Sequence, residues 1–69
     1  MKTINLKIKE VLKEKNLTRY EVAKRANMKF QTVDKYYKNQ VSRYDKHVLL
    51  KICLAVDCDL SDILKIEDL

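Results

Sequence analysis

A short stretch in the middle of the sequence carries side chains that can read the edges of DNA bases. Gln31, Thr32 and Lys35 share one face of a predicted helix, and Phe30 comes just before them. A glutamine can bond bidentately to adenine, a lysine can donate to guanine acceptors or to a phosphate, and a threonine can hydrogen-bond or contact a methyl group. A face that is polar, hydrogen-bonding and basic suits a helix lying in the major groove.

Two short helices joined by a tight turn must position that face. The spacing of Val33, Tyr36 and Tyr37 gives the helix predicted at residues 30–38 one apolar side. Thr18 and the residue three positions later, a glutamate, form a capping box for a preceding helix at residues 19–26. Asn27 falls at the turn, where asparagine accepts a left-handed backbone better than other residues with a side chain, glycine excepted. The sequence therefore predicts a helix-turn-helix at about residues 18–38.

Three further helices complete the predicted fold. The first runs from Ile4 or Asn5 to Lys15 and is capped by Thr3 or Asn5, with Ile4 on its core face. A fourth helix follows an aspartate cap at position 45 and ends near residue 56, and a fifth begins at residue 60 after Asp59. The tail at residues 65–69 is expected to fray. The prediction is an all-α fold, one compact five-helix domain over residues 1–69.

Composition and charge narrow the classes of function. The 69 residues include no Gly and no Pro, which argues against Gly-rich phosphate loops and hairpin-rich folds. The net charge is +5, and residues 1–38 hold 11 Lys and Arg against 4 Asp and Glu. A basic half of this kind attracts polyanions, although a solvated lysine-rich surface gives the same pattern. Cys53 and Cys58 lack a metal-ligand spacing and are read as reduced core residues.

Spaced positions along most of the chain resemble the Cro and phage-repressor (Xre) family of helix-turn-helix domains. The residues that carry the resemblance are Leu17, Thr18, Glu21, Val22, Ala23, Ala26, Met28, Thr32 and Val33, followed by the apolar runs at 49–56 and 60–64. The resemblance covers about residues 4–65. It implies a lambda-repressor-like fold and a transcriptional regulator that binds double-stranded DNA sequence-specifically. Asn16, Asn27, Asn39 and Asp57 stand where the family prefers glycine at helix ends.

The resemblance also implies which side chains meet DNA. The base contacts would be Phe30, Gln31, Thr32 and Lys35, on the first turns of the recognition helix. The phosphate contacts would be Thr18, Arg19, Lys29, Lys38 and Arg43. Two of these depart from the family, because Lys29 replaces a capping Ser or Thr and Phe30 replaces a polar residue. Phe30 either lies against thymine methyl groups or covers the core or a partner, and Lys29 is expected to meet a phosphate at an uncapped helix start.

The expected partner is a near-palindromic operator bound by two copies of the chain. A homodimer would form through the C-terminal helix, at Leu60, Ile63 and Ile66, with Val56 beside them. The alternative is a protein-interaction module on the same fold, such as an antitoxin or an antagonist of another regulator, and RNA binding is a weaker third reading. No catalytic constellation, cofactor site, metal site, signal peptide or membrane span is predicted, so we expect a cytoplasmic DNA-binding protein that is not an enzyme.

Overall fold

The computed structural model describes residues 1–68, which form five helices and two short strands. In chain order the elements are β1 (Lys2–Leu6), α1 (Ile8–Lys15), α2 (Arg19–Ala26), α3 (Phe30–Tyr37), α4 (Lys46–Val56), α5 (Leu60–Ile63) and β2 (Leu64–Asp68). Helices α2 to α5 begin where the sequence predicts. The loop between α3 and α4 spans residues 38–45.

The all-α prediction is wrong at both ends of the described chain, where β1 and β2 pair as an antiparallel sheet. The register places Leu6 opposite Leu64 and Ile4 opposite Ile66. Apolar residues alternate with polar ones along both segments, a period of two that belongs to a strand with one apolar face. Ile4 remains 48 % exposed because it lies beyond the packed core, so its predicted place on the core face of the first helix is also wrong.

The strand pair shortens the first helix and orders the tail. Helix α1 begins at Ile8, and the predicted caps Thr3 and Asn5 lie in β1 instead. The Asn5 Nδ2 and Lys7 Nζ atoms each donate a 2.7 Å hydrogen bond to the Glu67 carboxylate. The hydrogen bond from Lys7 is the main reason that the pKa of Glu67 lies below its usual range. The predicted fraying of residues 65–68 is therefore wrong, and Leu69 lies outside the described residues.

Among residues 1–68, four residues at helix ends adopt the left-handed conformation, at positions where the sequence predicts it or where the family prefers glycine. Three are asparagines at helix ends, and their φ angles are 57° at Asn16, 55° at Asn27 and 58° at Asn39, while Asp57 has φ 61°. The Asn39 side chain also forms hydrogen bonds with the backbone of β1. Its Oδ1 accepts from the Leu6 N–H at 2.6 Å and its Nδ2 donates to the Leu6 carbonyl at 2.9 Å. It therefore occupies backbone groups of β1, which a glycine could not do.

One apolar core joins the helices to the end of β1. Its buried members are Leu6, Ile8, Leu12, Val22, Ala23, Val33, Tyr36, Ile52, Cys53, Val56 and Ile63. Ile63 is only 1 % exposed and Val56 3 %, so their predicted place on a dimer surface is wrong. Both cysteines have free thiols; Cys53 is buried in the core, while Cys58 is half-buried against it. Burial raises the pKa of Cys58 to about 11.

Candidate nucleic-acid interface

A capping box fixes the start of α2, as the sequence predicts. The Thr18 Oγ1 atom accepts from the Glu21 N–H at 3.1 Å, and the Thr18 N–H donates back to the Glu21 carboxylate at the same distance. The box satisfies two amides that an unsupported helix start would leave open. Arg19 is the first residue of α2 and follows this cap directly.

The start of α3 has no such support. Lys29 is its N-cap, with φ −68° and ψ 139°, and its side chain caps no amide within residues 1–68. The Lys29 carbonyl accepts from Thr32 at 3.1 Å and from Val33 at 3.4 Å, which leaves the amides of Phe30 and Gln31 without an intrahelical acceptor. Two open amides and the positive end of the helix dipole attract an anion. This geometry agrees with the predicted missing cap.

Helix α3 turns its polar side chains to solvent and its apolar ones to the core. Gln31 and Lys35 are exposed and Thr32 is half-buried, whereas Val33 and Tyr36 are buried. The hydroxyl group of Tyr36 accepts from the Asp45 N–H at 3.0 Å, which ties the far end of α3 to the start of α4. The helix is therefore fixed from within while its outer face stays open. The structure brings three of the four predicted base-contacting residues onto that face.

The fourth, Phe30, lies at the junction of α3 with α2. It is 41 % exposed and is not among the buried residues of the core. Its ring centroid is 6.3 Å from that of Tyr20, and the guanidinium of Arg19 lies 5.7 Å from the same ring. Phe30 thus links α3 to α2 through its contacts with Tyr20 and Arg19, while part of its ring remains exposed to solvent.

Arg19 and Lys38, two of the predicted phosphate contacts, converge on Asp34. The Arg19 guanidinium forms an ion pair with Oδ1 of Asp34, and the Lys38 Nζ atom lies 3.2 Å from Oδ2. Desolvation pushes the pKa of Asp34 upward, but hydrogen bonds from Lys38 and Arg19 outweigh it and leave that pKa below its usual value. Arg19 also lies over the ring of Tyr37, 4.6 Å from its centroid.

This network is not predicted from the sequence. The Asp34 carboxylate pairs with Arg19 on one side and with Lys38 on the other. The pairing with Lys38 follows a spacing of four residues along a helix, which is readable in the sequence. The pairing with Arg19 joins two helices and depends on how they pack. The remaining phosphate candidates, Thr18, Lys29 and Arg43, are exposed.

Other kinds of site are not found in the described part of the chain. Within residues 1–68 no group of three His, Cys, Asp or Glu side chains is placed to hold a metal ion. No helix of this segment combines the length and the apolar run that crossing a bilayer requires. His47, the one histidine of the sequence, is exposed in the first turn of α4.

Comparisons with known proteins agree with this geometry. A sequence profile of the Cro/C1-type HTH DNA-binding domain matches residues 7–68. A search of curated proteins found no match. The crystal structure of a protein from Bacteroides fragilis, described as a "putative DNA-binding protein", is similar with a TM-score of 0.77 over 91 % of this chain and all of that one. At 22 % identity, this likeness shows the fold alone. The profile match shows more: the chain belongs to the Cro/C1-type HTH DNA-binding domain family, whose members are DNA-binding regulators.

Proposed function

We propose that this protein is a sequence-specific regulator that lays α3 in the major groove of double-stranded DNA. The observation that carries the proposal is the outer face of α3, where Gln31 and Lys35 are exposed on a helix whose inner face is locked into the core. Base readout needs rigidly presented donors and acceptors, since each bidentate contact discriminates by about 1–3 kcal/mol only when its geometry is fixed. DNA binding is the common property of the family.

The start of α3 supports a phosphate contact beside the base-reading face. The amides of Phe30 and Gln31 are open, and Lys29 supplies a positive charge at the same place. A backbone phosphate would accept from the amides and neutralise the lysine, which removes a mismatch that the free protein carries. Thr18 and Arg43 are exposed and remain our proposed contacts to the backbone, as do Arg19 and Lys38 through the charges they share with Asp34.

The proposed operator is a near-palindrome bound by two copies of the chain. Two recognition helices related by a two-fold axis would reach half-sites about one helical turn apart. Of the C-terminal residues predicted to form the dimer, Ile63 belongs to the core. Leu60 is 46 % exposed and Ile66 is 71 % exposed, so these two are the candidate contacts in that segment.

Selection of random duplex DNA, followed by fluorescence anisotropy titrations across salt concentrations, tests the proposal. We expect enrichment of one motif with two inverted half-sites. We also expect the logarithm of the binding constant to fall with the logarithm of salt concentration, by about 0.9 for each phosphate neutralised. The Gln31→Ala variant should lose discrimination at one base position of each half-site by about 5- to 160-fold, which corresponds to the 1–3 kcal/mol of a bidentate contact.

Lys35→Ala and Lys65→Ala form a matched pair for this titration. Both remove one exposed lysine, but Lys35 lies on the outer face of α3 and Lys65 lies in β2. Lys35→Ala should weaken binding to the selected motif, whereas Lys65→Ala should leave it nearly unchanged. Binding without any motif, lost equally in the two variants, would show that the basic half acts only as an electrostatic surface. A search for a protein partner would then take priority.

A further inference from the structure

An open apolar groove lies on α4 and the start of α5, away from the residues that face DNA. It has a volume of about 630 Å³, and Leu49 and Cys53 belong to its lining. Two leucines of α4 border it with much of their surface in water, since Leu50 is 54 % exposed and Leu54 is 72 % exposed. Exposed apolar residues that cluster around a groove mark an interaction surface more often than isolated ones do.

The surface carries a protruding part and a recessed part side by side. Leu54 is 72 % exposed on α4, and the groove beside it, with a volume of about 630 Å³, has room for a leucine side chain. An enclosed small molecule would leave the outer side of Leu54 in water. A second helix that inserts its own leucine into the groove would cover it. In a two-fold symmetric dimer the same surface of both copies forms the contact, so each copy supplies a protruding Leu54 and a groove.

The charges at the two ends of the groove are arranged for such a contact. Lys46 lines one end, at the first position of α4, and Asp59 lines the other end, just beyond the last residue of α4. Among residues 1–68 neither side chain forms an ion pair within 4 Å. A lysine in the first turn of a helix is unfavourable for the helix dipole, so Lys46 would gain from a nearby carboxylate. Asp59, the N-cap of α5, is an acidic residue at the opposite end of the groove. A second copy packed antiparallel would bring Lys46 of each copy toward Asp59 of the other.

The dimensions agree with this pairing. Leu50 and Leu54 are placed symmetrically about position 52, so a two-fold axis at that level of α4 places Leu50 opposite the partner's Leu54. Lys46 lies about 9 Å along the helix from this level, which places it just beyond the last residue of the partner's α4, at the end of the groove that Asp59 lines. We propose that α4 is the self-association surface of this protein, with two copies packed antiparallel and Leu60 at the margin of the contact.

This inference rests on the proposed function only in assuming two copies, and it relocates the contact between them. Leu60 lines the groove and stays in the interface. Ile66 does not line the groove and lies outside the interface. The groove shares no residue with the outer face of α3, so a dimer formed on α4 leaves Gln31 and Lys35 free to meet DNA.

Sedimentation velocity of the pure protein without DNA, over about 1 μM to 1 mM, tests the surface. We expect the mass to rise with concentration from the 8.2 kDa of one chain toward twice that value. Leu54→Glu should abolish the rise. Ile66→Glu is the matched control, because Ile66 is 71 % exposed against 72 % for Leu54, and it should dimerise like the unchanged protein.

A charge exchange tests the antiparallel arrangement itself. In a dimer of Lys46→Glu chains, or of Asp59→Lys chains, both end contacts become like-charge pairs, and each dimer should dissociate about tenfold more readily. An equal mixture of the two variants forms a dimer in which both contacts are again between opposite charges, so association should recover. Thermal melts establish that each variant is folded.

Three results would overturn the proposal. The first is an unchanged protein that stays monomeric throughout the concentration range. The second is a dimer that Ile66→Glu disrupts and Leu54→Glu does not, which would place the contact on the sheet. The third is a mixture of the two charge variants that associates no better than either variant alone, which would exclude the antiparallel pairing. Because no DNA is present, none of these results depends on whether an operator is found.

Discussion

Replacing Lys29 by serine should make the protein more stable and a weaker DNA binder. The backbone at Lys29 already has the extended conformation of an N-cap, with ψ 139°, so a serine there can cap α3 without moving the chain. A new cap contributes about 1 kcal/mol, and removing a lysine from the positive end of the helix adds about 0.3–1 kcal/mol. The free energy of unfolding should therefore rise by roughly 1–2 kcal/mol, which raises Tm by about 4–16 °C in a domain of this size.

The same change should lower DNA affinity for two reasons. The serine hydroxyl group competes with a phosphate for the amides at the start of α3, and one positive charge is lost. The salt dependence of binding should then become shallower by about 0.9 in the logarithmic slope. Lys29→Gln is the matched control, because it removes the charge but supplies a poor cap. It should weaken DNA binding while raising stability by less than the serine does.

Urea denaturation and anisotropy titrations on the three proteins measure both effects. If Lys29→Ser is no more stable than Lys29→Gln, the start of α3 is satisfied in some other way and the argument from the missing cap is wrong. If the serine variant binds the selected operator with unchanged affinity and salt slope, then no phosphate occupies this helix end.

Three other substitutions test contacts described above. Asn39→Ala should lower the free energy of unfolding by about 2–4 kcal/mol in urea denaturation, because it loses two hydrogen bonds to Leu6 and puts alanine in a left-handed backbone. Asn39→Gly loses only the hydrogen bonds, so it should lower the free energy of unfolding by less. Asp34→Asn should strengthen non-specific DNA binding and steepen its salt slope by up to about 2, measured by anisotropy, because Arg19 and Lys38 are released. The pKa of Asp34 is lower in the folded protein than its ordinary value of 3.8. Its contribution to stability is therefore present above pH 3.8 and is lost as the pH falls through the folded-state pKa. When the melting temperature is measured as the pH is lowered, it should fall less in Asp34→Asn than in the unchanged protein. Glu67→Gln should speed amide exchange in β2, seen by NMR, because it weakens the contact with Lys7.

The sequence was most informative where a local pattern decides the structure. The capping box at Thr18 needs only two residues three positions apart, and the left-handed turn at Asn27 needs one residue type that tolerates it. Both are properties of neighbouring residues, and both are confirmed. The missing cap at Lys29 was predictable in the same way, since a lysine has no acceptor to offer.

The sequence was least informative where distant segments meet. Ile4 fits a helical period with Ile8 and also a strand period with Leu6, and only its pairing with a segment near position 66 decides between them. The contact of Arg19 with Asp34 likewise depends on the angle between α2 and α3. Ile63 was predicted to lie on a dimer surface, and only the packing of α5 shows that it belongs to the core.

The pairing of β1 with β2 has a consequence for the order in which the protein folds. The paired residues are 58 to 66 positions apart, from Leu6 with Leu64 to Lys2 with Asp68, whereas the contacts within residues 18–38 join residues at most 20 positions apart. During synthesis β1 has no partner until almost all of the described chain has been made, while the helix-turn-helix can already assemble. We expect the sheet to close last and to open first, so that brief openings separate the two strands and leave α2 and α3 packed together.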